Sequence, residues 1–203
     1  MIHQHAFFAS LVAGALLISL APSDRAVLAA LVYAASLSAL LGVSALYHRV
    51  TWSRPARRWM SRLDHSMISV LIAGTYTPFG MMALSGTLAA FLVVMAWIGA
   101  ALGILLHLVW LDVPKWLSAI VYVAMGWVGA AAAPELVAHV GWTPTLLLLG
   151  GGLVYSAGAI VYALRRPNPV PMVFGYHEVF HALVVVAALV HYVAVAMTIL
   201  PAR

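Results

Sequence analysis

The sequence predicts an all-α integral membrane protein, a bundle of seven transmembrane helices with a cytoplasmic N-terminus and a C-terminus outside. Three observations support this prediction: the composition, the lengths of the apolar runs and the placement of the basic residues. Of the 203 residues, 65% are hydrophobic and 7% are charged, and the mean hydropathy is +1.06. Soluble domains carry about 25% charged residues. This chain therefore has too few charges to cover a water-facing surface.

Seven apolar runs follow one another along the chain, separated by charged residues or by Pro and Gly positions. Each run is close to the ~20 residues that a helix needs to cross the hydrocarbon core of a bilayer. The predicted runs are residues 5–21, 26–48, 63–83, 87–110, 115–133, 142–164 and 175–199. We expect them to form a single domain that covers residues 1–203.

The basic residues predict the orientation of these runs. If the runs alternate in direction, eight of the ten Lys and Arg residues fall on one side of the membrane. These eight are Arg49, Arg54, Arg57, Arg58, Arg62, Lys115, Arg165 and Arg166. Basic loops are typically cytoplasmic, so the sequence predicts a multi-pass protein of the cell inner (plasma) membrane. The net charge of +5 is then explained by these loops, and nucleic acid is not an expected partner.

Four ionisable residues from three different runs are expected at one depth, near the cytoplasmic boundary. His48 ends the second run, Asp64 begins the third, and His177 and His181 begin the seventh. His177 and His181 share a helix face, as do Ser44 and His48. Three imidazoles with one open position are typical of a catalytic zinc site, and a carboxylate could compensate its charge. The sequence thus predicts a Zn²⁺ site; the alternative is a set of interfacial histidines bonded to loops.

Other histidines are interpreted as lying outside this site. His3 and His5, at the beginning of the sequence, are assigned no function. His107 is placed at the membrane interface. His191 follows His181 by ten residues, which is about 15 Å along a helix, so it cannot bind the same ion. We interpret His191 as a polar contact between helices.

The segment His177-Glu178-x-x-His181 also matches the HExxH pattern of zinc proteases. The extended metzincin pattern, with its later Gly and His, is missing from this sequence. An intramembrane protease could instead take a third ligand from another run, where Asp64 and Asp112 are available. Glu178 lies about 100° around the helix from His177. The protease therefore stays an alternative, and the match is interpreted as a short pattern that arises easily by chance.

Three motifs together resemble a known family. They are Ser44-x-x-x-His48, the segment LDHSMISVLIAGTYTPF at 63–79 and His177-x-x-x-His181, in this order on seven apolar runs. This arrangement resembles the hemolysin III family, the bacterial branch of the progestin and adipoQ receptor (PAQR) family, which is related to alkaline ceramidases. The resemblance extends from about residue 3 to residue 199. It implies a zinc ion near the cytoplasmic side, with the three histidines as ligands and Ser44 and Asp64 as polar partners.

The function expected from these residues and this resemblance is zinc-dependent hydrolysis of a membrane lipid, a ceramidase-like cleavage of an acyl amide in lipid homeostasis. Asp64 would act as general base and then as proton donor, and Ser44 would orient the water or stabilise the oxyanion. One alternative is a non-catalytic sensor of membrane state with a structural zinc. Another is a cytolysin-like haemolytic protein, which the seven fixed runs and the lack of a signal-peptide pattern disfavour.

Overall fold

A computed structural model shows an all-helical chain and describes residues 2–110, 112–170 and 173–200. Its α-helices are α1 (Ile2–Leu20), α2 (Asp24–Arg49), α3 (Arg54–Met82), α4 (Gly86–Val109), α5 (Lys115–Trp127), α6 (Ala133–Val140), α7 (Trp142–Leu164) and α8 (Tyr176–Ile199). A 3₁₀ turn, Val128–Ala132, joins α5 to α6, so the described residues form seven helical rods. The all-α prediction with seven helical units is confirmed.

Six of the seven rods are long and apolar enough to cross a membrane, with α5 and α6 counted together as Lys115–Val140. The exception is α3, whose first turns carry four arginines and Asp64 ahead of an uncharged stretch from Ser66 to Met82. The chain is therefore a multi-pass membrane protein. The crossing of the membrane by α3, and the side on which each terminus lies, stay predictions.

The two largest differences from the predicted bounds are at the start of the third helix and the end of the fifth rod. The third helix begins at Arg54, well before position 63, and the fifth rod continues to Val140, beyond position 133. The prediction was wrong at these points because loss of hydropathy marks the edge of a membrane span, whereas a helix continues through polar residues. Pro55 and Pro134 suit the first turns of α3 and α6, where a missing N–H costs nothing.

The third helix lies at the centre of the bundle. It packs against α2, α4, α5 and α8, while α1 packs against both α2 and α8 and closes the arrangement. Small residues allow these close approaches, as is common between membrane helices. A Cβ added at Gly74 would overlap the Ser36 side chain, and one added at Gly103 would overlap the Ser69 hydroxyl. Large apolar side chains are exposed around the outside of the bundle, for example Leu16, Phe91 and Leu153.

The interruption of the fifth rod is bonded to α3 through one tyrosine. The Tyr76 hydroxyl accepts a hydrogen bond from the Gly129 N–H at 2.6 Å and lies 2.8 Å from the Met125 carbonyl oxygen. It thus satisfies backbone groups that the 3₁₀ turn leaves without an α-helical partner. His191, in the C-terminal half of α8, bonds through Nε2 to the Leu148 carbonyl oxygen at 2.9 Å. This is the polar helix contact predicted for it.

Candidate metal centre

Three imidazole rings from two helices converge at one end of the bundle. His48 lies in the last turn of α2, and His177 and His181 lie in the first two turns of α8. His177 Nε2 is 3.3 Å from His48 Nε2 and 2.9 Å from His181 Nε2. One ring nitrogen from each residue can be chosen so that all three lie within 4.8 Å of one another. The three residues predicted as ligands therefore form a group that could hold a metal ion.

These distances fit a tetrahedral ion with nitrogen ligands. Zinc binds imidazole nitrogens at about 2.0–2.1 Å, which places two such nitrogens about 3.3 Å apart in a tetrahedron. The observed separation of 3.3 Å between His48 and His177 matches this value, and that of 2.9 Å between His177 and His181 is somewhat shorter. The chain has no cysteine, and an all-imidazole donor set suits zinc, copper, iron or nickel. The residues present therefore fit the predicted metal, and the donor set alone does not select zinc among these four.

Asp64 and Ser44 lie where the sequence predicted them, beside the histidines. The Asp64 Oδ2 atom is 4.0 Å from His48 Nε2, too far for a hydrogen bond but close enough for an ion pair. Ser44 lies one turn before His48 on α2, and only 3% of its surface is exposed. The structure brings all five predicted residues together. Their roles are not fixed by their positions.

His3 belongs to the same cluster, and the sequence analysis missed it. Its Nδ1 atom is 2.8 Å from the Ser44 hydroxyl oxygen and 2.9 Å from His181 Nδ1. The predicted first run began at residue 5, but α1 begins at Ile2 and turns His3 towards α8. The signal that could have revealed it is a helical stripe: His3, Ser10 and Gly14 are all buried on one face of α1.

Glu178, the acidic residue of the HExxH match, is bonded to its own helix end. Its Oε2 atom accepts a hydrogen bond from the Gly175 backbone N–H at 2.9 Å. The residue is exposed and lies outside the group of three ligand nitrogens. A carboxylate at this position satisfies a free N–H and interacts favourably with the positive end of the helix dipole. Its geometry is that of a helix cap and not of a protease base.

The histidine group opens on a cavity of about 670 Å³ between the helices. At the end near the site its wall includes His48, Asp64 and His181, and at the opposite end it reaches Leu136 and Thr145. Between these ends the wall is mainly apolar, with Leu40, Ile68, Leu71, Phe79 and Val184. Ligand cavities are typically about 300–1,000 Å³. The cavity therefore has the volume and lining of a site for an apolar ligand with a polar end.

The family profile described as "Haemolysin-III related" matches residues 1–192, nearly the whole chain. The chain belongs to the haemolysin III family. The predicted resemblance is thereby confirmed.

Several curated proteins resemble this haemolysin III chain. "Hemolysin-3 homolog" of Bacillus subtilis (strain 168) is 35% identical over 153 residues, which are 75% of this chain and 68% of the relative. "Hemolysin-3" of Bacillus cereus is 32% identical over 176 residues, or 87% and 77% of the two chains. The human "Monocyte to macrophage differentiation factor", a PAQR-family protein, is 28% identical over 199 residues, or 95% and 80%.

A second polar cluster of this haemolysin III protein also lines the cavity, and the sequence analysis did not anticipate it. His65 Nδ1 donates to the Ser61 carbonyl at 2.7 Å, which leaves Nε2 to accept from the Tyr162 hydroxyl at 3.0 Å. His107 is bonded in the same way to the Gly103 carbonyl, and its Nε2 faces the Tyr122 hydroxyl at 3.1 Å. His107 is thus buried within the bundle and bonded between helices.

Proposed function

We propose that this protein holds a zinc ion through His48, His177 and His181 and hydrolyses an acyl amide of a lipid in the cell inner membrane. The observation that carries the proposal is the meeting of three imidazoles and the Asp64 carboxylate at one end of a lipid-sized, mainly apolar cavity. When bound, zinc polarises a carbonyl oxygen and lowers the pKa of water to about 7.

In this proposal Asp64 moves the proton. Its Oδ2 atom accepts a proton from the attacking water as the new C–O bond forms at the amide carbon. The same oxygen then delivers that proton to the amide nitrogen as the C–N bond breaks, so that a carboxylic acid and an amine leave the site. Asp64 is suited to this role because it faces His48 at 4.0 Å and has no closer cationic partner among the described residues. Ser44, one turn deeper, orients the reacting groups.

We assign His3 the role of a positioning residue for His181. A ligand nitrogen needs a free lone pair, so with Nε2 of His181 directed at the ion, the ring proton is on Nδ1. His3 is the acceptor for that proton through Nε2, which lies 3.0 Å from His181 Nδ1, while Nδ1 of His3 keeps its own proton and donates to the Ser44 hydroxyl oxygen at 2.8 Å. Partners of this kind fix the tautomer and orientation of metal-bound histidines.

His3→Ala is therefore expected to weaken zinc binding about 10–100-fold, the usual effect of removing such a partner. His5→Ala, an exposed histidine two positions away on α1, is the matched control and should leave the affinity unchanged. Competition with a zinc-sensitive dye measures both affinities. Equal zinc affinities in the two variants would show that His3 does not contribute to zinc binding.

The proposed activity is tested with purified protein in detergent and a short-chain ceramide. Zinc-loaded protein should release fatty acid, a chelator should abolish the release, and added zinc should restore it. A matched experiment with His181→Ala protein shows whether the release depends on this site. Fatty acid release that persists after zinc removal would contradict the proposal.

The proposed topology places the metal site near the cytoplasmic face, with the N-terminus inside and the C-terminus outside. A reporter that functions only outside the cytoplasm, fused after Arg203, should be active. The same reporter placed in the loop between α2 and α3, which joins arginine-rich ends, should be inactive and serves as the control. The opposite pattern would invert the topology and place the zinc at the outer face.

A second candidate function is a sensor of membrane state in which zinc is structural. The supporting observation is the 4.0 Å separation of Asp64 from His48, since a small movement would bring the carboxylate to the ion as a fourth ligand. Zinc-replete protein that releases no fatty acid from any lipid amide would favour this candidate. Membrane lysis, which the name "Hemolysin-3" of the Bacillus cereus relative suggests, would on our proposal be a secondary effect.

A further inference from the structure

Lys115 contacts two tyrosines that lie beside the metal centre. Its ammonium nitrogen donates to the Tyr176 hydroxyl at 2.7 Å and lies 4.9 Å from the centre of that ring. It also lies 4.7 Å from the centre of the Tyr162 ring. The Tyr162 and Tyr176 rings are in turn 6.4 and 6.1 Å from the ring of His177. The lysine charge is thus held at the side of the site that His177 forms.

Arg57 occupies a matching position on the other side. Its guanidinium carbon lies 5.3 Å from the centre of the Tyr47 ring, and the Tyr47 ring lies 4.6 Å from that of His48. Arg57 and Lys115 both line the cavity that contains the histidines. Two cations, each supported by a tyrosine face, therefore flank the metal centre at the end of the cavity that the histidines form.

Neither charge is neutralised by a carboxylate. Among the described residues 2–110, 112–170 and 173–200, a basic and an acidic side chain come within 4.0 Å of each other in one pair alone. That pair is His48 and Asp64. Asp112 lines the same cavity but lies farther than this from Lys115 and Arg57. Arg62 also lines it, and its buried Nε atom has no hydrogen-bond partner. Uncompensated positive charge at the mouth of a mainly apolar cavity favours an anion there.

We propose that Lys115 and Arg57 bind the phosphate of a lipid headgroup, so that the preferred substrate is an amide-linked lipid that carries a phosphate, and a neutral ceramide is a weaker one. This inference rests on the proposed function for the reaction and adds the class of headgroup. Lys and Arg are the usual partners of phosphate in proteins. The Tyr176 hydroxyl accepts from Lys115 and keeps its own proton to donate to a phosphate oxygen. The acyl chains then lie in the apolar part of the cavity.

The test compares two lipids that differ only in the phosphate, a short-chain ceramide 1-phosphate and the corresponding ceramide. Dissociation constants are measured for the zinc-loaded full chain in neutral detergent. The phosphate-bearing lipid should bind at least about tenfold more tightly. Lys115→Gln and Arg57→Gln should each reduce that preference about tenfold, whereas Arg25→Gln, an exposed arginine that does not line the cavity, should leave it unchanged.

Three further measurements decide the interpretation. Lys115→Arg keeps the charge and should retain most of the preference, which separates loss of charge from loss of folding.

Inorganic phosphate should displace the lipid poorly. Displacement at phosphate concentrations near the lipid's own dissociation constant would show a free-phosphate site and overturn the lipid assignment. Equal binding of the two lipids, or equal effects of Lys115→Gln and Arg25→Gln, would also overturn it. A preference that survives in protein without hydrolytic activity would sustain this inference while the proposed reaction fails.

Discussion

Replacing Asp64 by asparagine is expected to slow lipid amide hydrolysis by about 10²–10⁴-fold, the usual contribution of a general acid–base group. Glu178→Gln should change the rate little. The physical reason is position: Asp64 faces His48 at 4.0 Å, whereas the Glu178 carboxylate is bonded to the Gly175 N–H. Initial rates of fatty acid release, measured at matched zinc content, compare the two variants directly.

The pair of variants also separates the two interpretations of the sequence His177-Glu178-x-x-His181. In a protease of the HExxH type the glutamate is the general base, so Glu178→Gln would abolish hydrolysis while zinc stayed bound. That ranking, with Asp64→Asn active, would favour the protease over the lipid amide hydrolase. A modest loss of thermal stability in Glu178→Gln, without loss of rate, is the result expected for a residue that caps a helix.

Alanine at any of the three ligand positions should remove most of the zinc from the purified protein. Wild-type protein is expected to hold about one zinc per protomer, because three imidazoles with one open position form a complete catalytic site. Each of His48→Ala, His177→Ala and His181→Ala leaves two imidazoles, too few to hold the ion through purification. Elemental analysis after gel filtration gives the metal content of each protein.

The control for this prediction is His139→Ala. His139 is exposed on α6, and its Nδ1 atom is bonded to the Glu135 carbonyl oxygen at 2.9 Å, far along the chain from the ligands. Its loss removes a histidine without touching the site, so the zinc content should match that of the wild type. Metal content that is unchanged in all three ligand variants would eliminate the site.

Much of the fold and of the site could be predicted because both depend on the membrane. Apolar runs of about 20 residues mark helices almost regardless of their neighbours. Residues at the ends of such runs have a known depth once the orientation is chosen. That is why His48 of α2 could be grouped with His177 and His181 of α8 before any helix packing was known.

Other features could not be predicted because they depend on which helices touch. The approach of α1 to α8, which brings His3 against His181, leaves no local pattern beyond a stripe of small and polar residues. Lys115 was counted only as a cytoplasmic charge, and its contact with Tyr162 and Tyr176 requires the first turn of α5 to meet the end of α7 and the start of α8. The predicted start of the third helix was inaccurate for a different reason. Arg54 and its neighbours are helical without being apolar.

The contact between α1 and α8 has a consequence for the biosynthesis of the protein. His3 and His181 are separated by 178 positions, so the growing chain must present α8 before the two rings can meet. At about 5–20 residues per second, the first helix waits on the order of ten seconds or more for its partner. On our proposal, a metal ion held by His48, His177 and His181 is likewise acquired only once α8 has been made. Because it binds only the form in which α2 and α8 have met, it also holds the last helix against the second one, beside the contact with α1.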